Sequence, residues 1–424
     1  MRPAPNPAPS REAGFTVVEL LVSLVVVVEV LLGVLMLFDF SNRLTRAQIN
    51  VSDMQQALRV SHQEIAEEIR MAGAGGLPPM PVAPGGALWW INGAADDQLI
   101  GPDGTPEVLG GTDILIVRGV FSTPLYHVDP KAPGTFTLNN VSPPAATAGT
   151  ILIRDKTATL VPQNLTAIID AVTERRPEAL LLISPLNSAI YSVVELDPQN
   201  SVVNDPANIT IAFRITAGTY TDRYLQFRPG NAYNPDLTKV AFVGLLEEHR
   251  FYIREEYAIP NDQTSELTPR LSRARTYPNT EVPYQENDDN WGIDIADNIM
   301  DMQIALGFDS LNGGGSILQD TNDVGLDDRI FEAADGQTDD WLFNFAGELP
   351  TDPDWVNARL HYLRINLLGR TERRDPKYEA PLLARIEDRT FAANHPLNVP
   401  QRDGGNQRMY RRRVLRTLID LRNM

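Results

Sequence analysis

The chain has 424 residues, enough for two or three ordinary domains. With 37 Lys plus Arg against 55 Asp plus Glu, its formal net charge is −18, so bulk charge repels phosphates and disfavours non-specific nucleic-acid binding. It has no cysteine, which excludes disulfides, thiolate zinc sites, iron–sulfur clusters and cysteine nucleophiles. Residues 1–14 are Pro-rich, with Pro3, Pro5, Pro7 and Pro9, and predict no fold of their own. Leu20 to Phe38 are apolar or small except for Ser23 and Glu29. At 1.5 Å per residue that run spans roughly 28 Å, close to the hydrocarbon thickness of a bilayer, and predicts one membrane-spanning helix over about 20–38. A cleaved secretory signal fits poorly, because the run is long and leads into Asp39, Asn42 and Arg43 rather than into small residues. Arg2 and Arg11 favour a cytoplasmic N-terminus, although Arg43 and Arg46 on the far side weaken that bias.

Gly14-Phe15-Thr16-Val17-Val18-Glu19-Leu20-Leu21-Val22 resembles the processing site of type IV prepilins and pseudopilins. The resemblance implies cleavage by a prepilin peptidase between Gly14 and Phe15, N-methylation of Phe15, and an assembly role for Glu19. It also implies a cleaved leader over 1–14 and a pilin helix over 15–72. Elementary electrostatics agrees about Glu19. A carboxylate at the edge of hydrocarbon is costly unless paired, and the amine of a neighbouring subunit's Phe15 would pair with it. Glu29 lies near the middle of the span, where it either pairs across subunits or sits protonated and inert. Ten residues along a helix is about 280° around it, so Glu19 and Glu29 do not share a face.

Beyond the apolar run, Ala47, Val51, Met54, Leu58, Ile65 and Ile69 form one apolar stripe at helical spacing. No proline occurs between Phe15 and Met71, and Gly73-Ala74-Gly75-Gly76-Leu77-Pro78-Pro79 then ends the helix. After about residue 80 the pattern is strand-like, over 113–121, 150–155, 179–184, 189–196, 208–215, 240–257, 360–368 and 412–421. Turn-forming residues separate these runs, which predicts an antiparallel meander rather than βαβ units. The expected fold is therefore α+β and type IV pilin-like: a long N-terminal helix packed on an antiparallel sheet, with a large elaborated β-rich region. Residues 80–237 read as that elaborated region or an inserted subdomain, and 238–424 as the C-terminal β region.

The segments 240–254, 298–309 and 412–422, in that order, resemble PilW-type minor pilins, and similar elements occur in J-type pseudopilins of type II secretion. Enzyme signatures are lacking. The five histidines, at 62, 127, 249, 361 and 395, form no metalloprotease pair, and there is no nucleophile elbow or phosphate loop.

Asp320, Asn322, Asp327 and Asp328 lie in an acidic, Gly-containing loop that could converge oxygens on calcium. Val324 stands where the calcium pattern of related minor pilins has an acid, which favours a solvated acidic loop over a metal site. No cofactor is required. The stretch 402–422 carries seven Arg and two Asp, and Leu415, Thr417, Ile419 and Leu421 alternate with polar and other positions there. A partly buried terminal strand with surface charge is favoured over a nucleic-acid site.

Taken together, the resemblance implies a minor pilin of a type IV pilus, not an enzyme. It would help initiate assembly and sit in the tip complex. Its partners would be minor and major pilins, the prepilin peptidase and the inner-membrane assembly platform. It would be single-pass in the inner membrane with a periplasmic head before joining the pilus. The alternative is a J-type minor pseudopilin of a type II secretion system.

Overall fold

The computed structural model describes residues 16–75, 87–96, 99, 107–129, 147–155, 162–176, 178–183, 191–215, 240–258, 266–276, 292–308, 341–343, 360–398 and 407–421. Helix α1 runs Val17–Met71, with Glu19 in its first turn and Arg70 in its last, each complementing the helix dipole at its end. It stops where the sequence predicts. Gly75 has φ +95, and a Cβ there would meet Val120 Cγ2 at 2.7 Å, so both backbone and packing demand glycine. The strands, in chain order, are β1 (Leu88–Ile91), β2 (Ile114–Gly119), β3 (Tyr126–His127) and β4 (Thr147–Arg154), followed by helix α2 (Thr166–Thr173). Then come β5 (Ala179–Ile183), β6 (Tyr191–Leu196), β7 (Val202–Asp205), β8 (Asn208–Ile215), β9 (Phe242–Tyr257), β10 (Leu267–Thr276), β11 (Gly292–Asp297) and β12 (Ile299–Phe308). The last are β13 (Trp341–Leu342), β14 (Leu360–Arg370), β15 (Arg385–Ile386), β16 (Arg389–Thr390) and β17 (Arg412–Asp420). The strand pairings are antiparallel, so the α+β architecture read from the sequence is the one observed.

The chain divides into two units, Met1–Asp53 and Met54–Met424. In the first, the large apolar side chains from Val17 to Leu44 are exposed. In the second, Met54, Leu58, Ile65 and Ile69 are buried, which realises the predicted stripe. Leu58 enters a notch over β14: a Cβ on Gly369 would lie 3.0 Å from Leu58 Cγ, so the missing side chain makes room for the leucine.

Strand β9 organises the larger sheet. Its first half, Phe242–Leu246, pairs with β5, while Glu247–Phe251 pairs with β2 and Glu248–Tyr257 with β10. It thus joins strands from both sides of residue 237. Around its first half the pairing runs in a closed circuit. β9 pairs with β5, β5 with β6, β6 with β8 and β8 with β4, and β3 pairs back onto β9. A bridge between Val128 and Ile153 links β3 to β4 and completes a small six-stranded barrel. Its interior is set by period-two alternation. Ile151 and Ile153, Leu180 and Leu182, and Ile209 and Ile211 all fall in one buried cluster, and α2 adds Ile168, Ala171 and Val172 to it.

Where β9 leaves the barrel, Arg118 and Glu248 are both fully buried and pair at 2.6 Å, and Arg250 and Thr276 also bond to Glu248. Such a pair tolerates burial because every charge has a partner.

A separate four-stranded sheet has the order β13-β12-β14-β17. The segment between β14 and β17 crosses it as a strap. The hairpin β15–β16 turns at Glu387, which has φ 50 and a buried carboxylate. Arg364 and Asn366 of β14 donate to that carboxylate at 2.5 and 2.6 Å, which holds a glutamate in the left-handed region it would otherwise avoid.

Candidate assembly site

The start of α1 is built by local hydrogen bonding. The Thr16 amide and Oγ1 both donate to Glu19 Oε2, at 2.9 and 3.0 Å, and the Glu19 amide donates back to Thr16 Oγ1 at 3.2 Å. The spacing Thr-x-x-Glu is a capping box, which satisfies amides that the first turn leaves without partners. Both bonds to the carboxylate end on Oε2, and nothing among the described residues bonds to Oε1. Glu19 is therefore held in a fixed place with one oxygen open to an incoming donor.

Gly14 and Phe15 lie outside the described residues, as do Asp320, Asn322, Asp327 and Asp328 of the proposed calcium loop. Among the described residues no group of His, Cys, Asp or Glu is arranged to hold a metal ion. Along the apolar run, Ser23 Oγ donates to the Leu20 carbonyl at 2.9 Å and is thereby satisfied within the helix. Glu29 is exposed and has no hydrogen bond or ion pair among the described residues. Just past the run, Asp39 and Arg43 pair at 2.7 Å one helical turn apart. Val17–Met71 contains one stretch long and apolar enough to cross a membrane, and none of that stretch is buried.

A second charged group on α1 escaped the sequence reading. Glu68 is buried, with Oε2 3.1 Å from His249 Nδ1 and Oε1 2.5 Å from Arg273 Nη1; Arg273 also reaches Glu64 at 3.0 Å. Burial pushes the Glu68 carboxyl up, but His249 and Arg273 outweigh it and hold the group below its ordinary value. Its partners are about 180 and 205 residues away in sequence, so nothing local announces them.

The exposed apolar helix, a candidate membrane anchor, and the antiparallel β region together give an α+β, pilin-like fold. Residues 251–423 match the family model described as Type IV Pilus-assembly protein W, somewhat under half of the chain. The match supports the PilW family for that portion and links the chain to type IV pilus assembly. Comparisons with curated proteins and with solved structures found no match. The matched region takes in the second part of β9, from Phe251 onward, and all of β10 to β17, so it contains the four-stranded sheet and its strap but not the circuit of the barrel.

Proposed function

We propose that the protein is a minor pilin of a type IV pilus, a structural rather than catalytic subunit that helps initiate assembly and sits in the tip complex. The observation that carries this reading is the PilW-type C-terminal region joined to a helix whose first part exposes continuous apolar surface. Exposed apolar surface of that extent requires lipid or other helices to cover it. In this reading the precursor waits in the inner membrane, with its head outside the cytoplasm, is cleaved after Gly14 and methylated at Phe15. It then leaves the bilayer for a bundle of pilin helices, where the open Oε1 of Glu19 receives the Phe15 amine of a neighbour.

Mass spectrometry of the membrane-purified protein tests processing: a terminus at methylated Phe15 is expected, and an intact Met1 would overturn it. A deletion strain separates the pilus from its alternative. Loss of pili and of twitching motility with secretion intact is expected. Loss of secretion with pili intact would instead assign the chain to a type II secretion pseudopilus. For the acidic loop we propose solvation rather than calcium binding. Melting the full chain with calcium and with chelator should give the same midpoint, whereas stabilisation by calcium that Asp328→Ala removes would assign a metal site.

A further inference from the structure

The strap lies on the side of the four-stranded sheet away from α1. Gly369 of β14 faces Leu58, so Leu368, Asn366 and Arg364 face the other way. Leu368 is buried in a cluster with Ile386 and Phe391 of the strap, and Asn366 and Arg364 both donate to Glu387. Asp301 and Gln303 of β12 stand directly opposite Leu368 and Asn366, so they share the strap's side.

Carboxyl groups fasten the strap there. Asp301 is buried, and its Oδ1 accepts from Arg389 Nη1 at 2.7 Å and from Gln303 Nε2 at 2.9 Å. Its Oδ2 is buried too and accepts no hydrogen bond among the described residues. Asp388, next to Arg389 on the strap, accepts from Asn92 Nδ2 at 2.7 Å, just past the end of β1. Asp113, fully buried at the foot of β2, accepts from the Gly93 amide at 2.9 Å and from the Ile304 amide at 2.7 Å. Gln303 Nε2 and Arg389 Nη2 also reach the carbonyls of Gly111 and Gly110, at 3.2 and 3.3 Å. One carboxyl from β12, one from the strap and one from the start of β2 therefore meet where these segments join.

Of the three, Asp301 alone is in an ion pair among the described residues, with Arg389. Buried carboxyls in excess of their cations are relieved by keeping a proton. The neighbouring charges do not change that balance. Glu387 is occupied by Arg364 and Arg416, and Asp96, against Gly110, adds another carboxyl. Burial and the nearby Arg389 and Arg412 hold His395 below its ordinary value, so it brings no charge. Burial, with Asp388 and Asp301 close by, holds Asp113 well above its ordinary value, and burial raises Asp301 and Asp388 as well.

We propose that this junction is a proton-operated latch: Asp113, Asp301 and Asp388 keep at least one proton among them while the strap is seated, and losing it to solvent frees the hairpin β15–β16. The seated strap binds the proton, and the lifted strap, with its carboxyls in water, does not. Opening therefore becomes easier as pH rises, by about tenfold per pH unit for one proton released. The change begins above the ordinary carboxylate range and ends at the raised value. Lifting the hairpin bares Met300 and Leu368, which it covers when seated. The latch belongs to the head alone and stands whether or not the pilin reading holds.

Hydrogen exchange of the full chain in detergent, corrected for the intrinsic effect of pH on amide exchange, tests this. The Phe391 amide, bonded to the Ala384 carbonyl at 2.9 Å, reports the hairpin. The amides of β5, which is paired on both sides, report the barrel. Phe391 protection should fall with rising pH by about tenfold per unit across the window, and should stay below that of β5. Asp388→Asn keeps an oxygen for Asn92 and removes one negative charge; Asp113→Asn removes another. At least one of the two should flatten the fall. Phe391 protection that is constant with pH in the unaltered chain would overturn the proposal. So would a fall that is the same in both variants. Phe391 and β5 exchanging at one rate at every pH would also overturn it, because the hairpin would then open only with the whole head.

Discussion

Leu31 and Leu58 stand on the same helix, yet Leu31 is 57% exposed and Leu58 2%. The glutamates differ in the same way. Glu29 has no partner among the described residues, while Glu68 is buried between His249 and Arg273. In the later part of α1 the chain itself supplies both the apolar cover and the counter-charges. In the earlier part the described residues supply no apolar cover, and charge partners only locally, in the bonds of Thr16 to Glu19 and the exposed pair of Asp39 with Arg43. Surface left unsatisfied in one chain must be completed by something else, and that is what an assembly helix requires.

The sharpest way to break this contrast is Glu19→Ala. Co-purification with other pilins should fall to background, while the amount of protein in the membrane and the melting of the head stay unchanged. Glu19→Gln separates charge from capping, since an amide oxygen can still accept from Thr16. Wild-type recruitment by the glutamine variant would mean that the capping box, and not a charge pair, is what matters.

Next in size is the leucine pair. Leu58→Ala should cost the head about 2–5 kcal/mol in denaturant unfolding, the usual range for emptying a buried leucine site, and Leu31→Ala nothing measurable. Equal effects would mean that the two halves of the helix are not distinct.

Glu68→Gln should cost about 1.5–3 kcal/mol, the value of hydrogen bonds to charged groups. The folded group titrates below its ordinary value, so its contribution is present above the ordinary carboxylate range and is lost as pH falls through the lowered value. The variant should therefore lose that acid limb in a melt-versus-pH series. Asp113 provides the opposite sign. It is buried near Asp388 and Asp301, and despite donors from Gly93 and Ile304 it is held well above its ordinary value. Its contribution is lost as pH rises, so Asp113→Ala should flatten the opposite limb. Smallest of all, Arg43→Ala removes an exposed pair with Asp39 and should change helix stability by about 0.3–0.5 kcal/mol at most.

The long helix, its stripe from Met54 to Ile69 and its glycine stop were legible because they repeat at short range. So were the strands whose residues are mostly apolar, such as Asn208–Ile215. Strand β10 was not, because it carries three arginines and Pro269. The proline is tolerated because β11 pairs only from Arg270 onward, so a missing amide at 269 interrupts no ladder on that side, and its carbonyl accepts from the Asn298 amide at 2.6 Å. The barrel was hidden for a different reason: Ile153 falls in a predicted strand but Val128 in none, and only the fold brings them together. For the candidate site, Glu19 was legible through its motif, whereas Glu68 depends on partners far away in sequence.

Strand β9 sets an order of events during synthesis. β2, β3 and β5 all take β9 as a neighbour, yet it is made after them. Tyr126 waits more than a hundred residues for Val243. Contacts that far apart close slowly and leave unpaired edges open in the meantime. Until residue 257 has emerged, the nascent head consists of apolar strands without their common partner. Truncation anywhere before β9 should therefore yield an aggregate rather than a smaller domain.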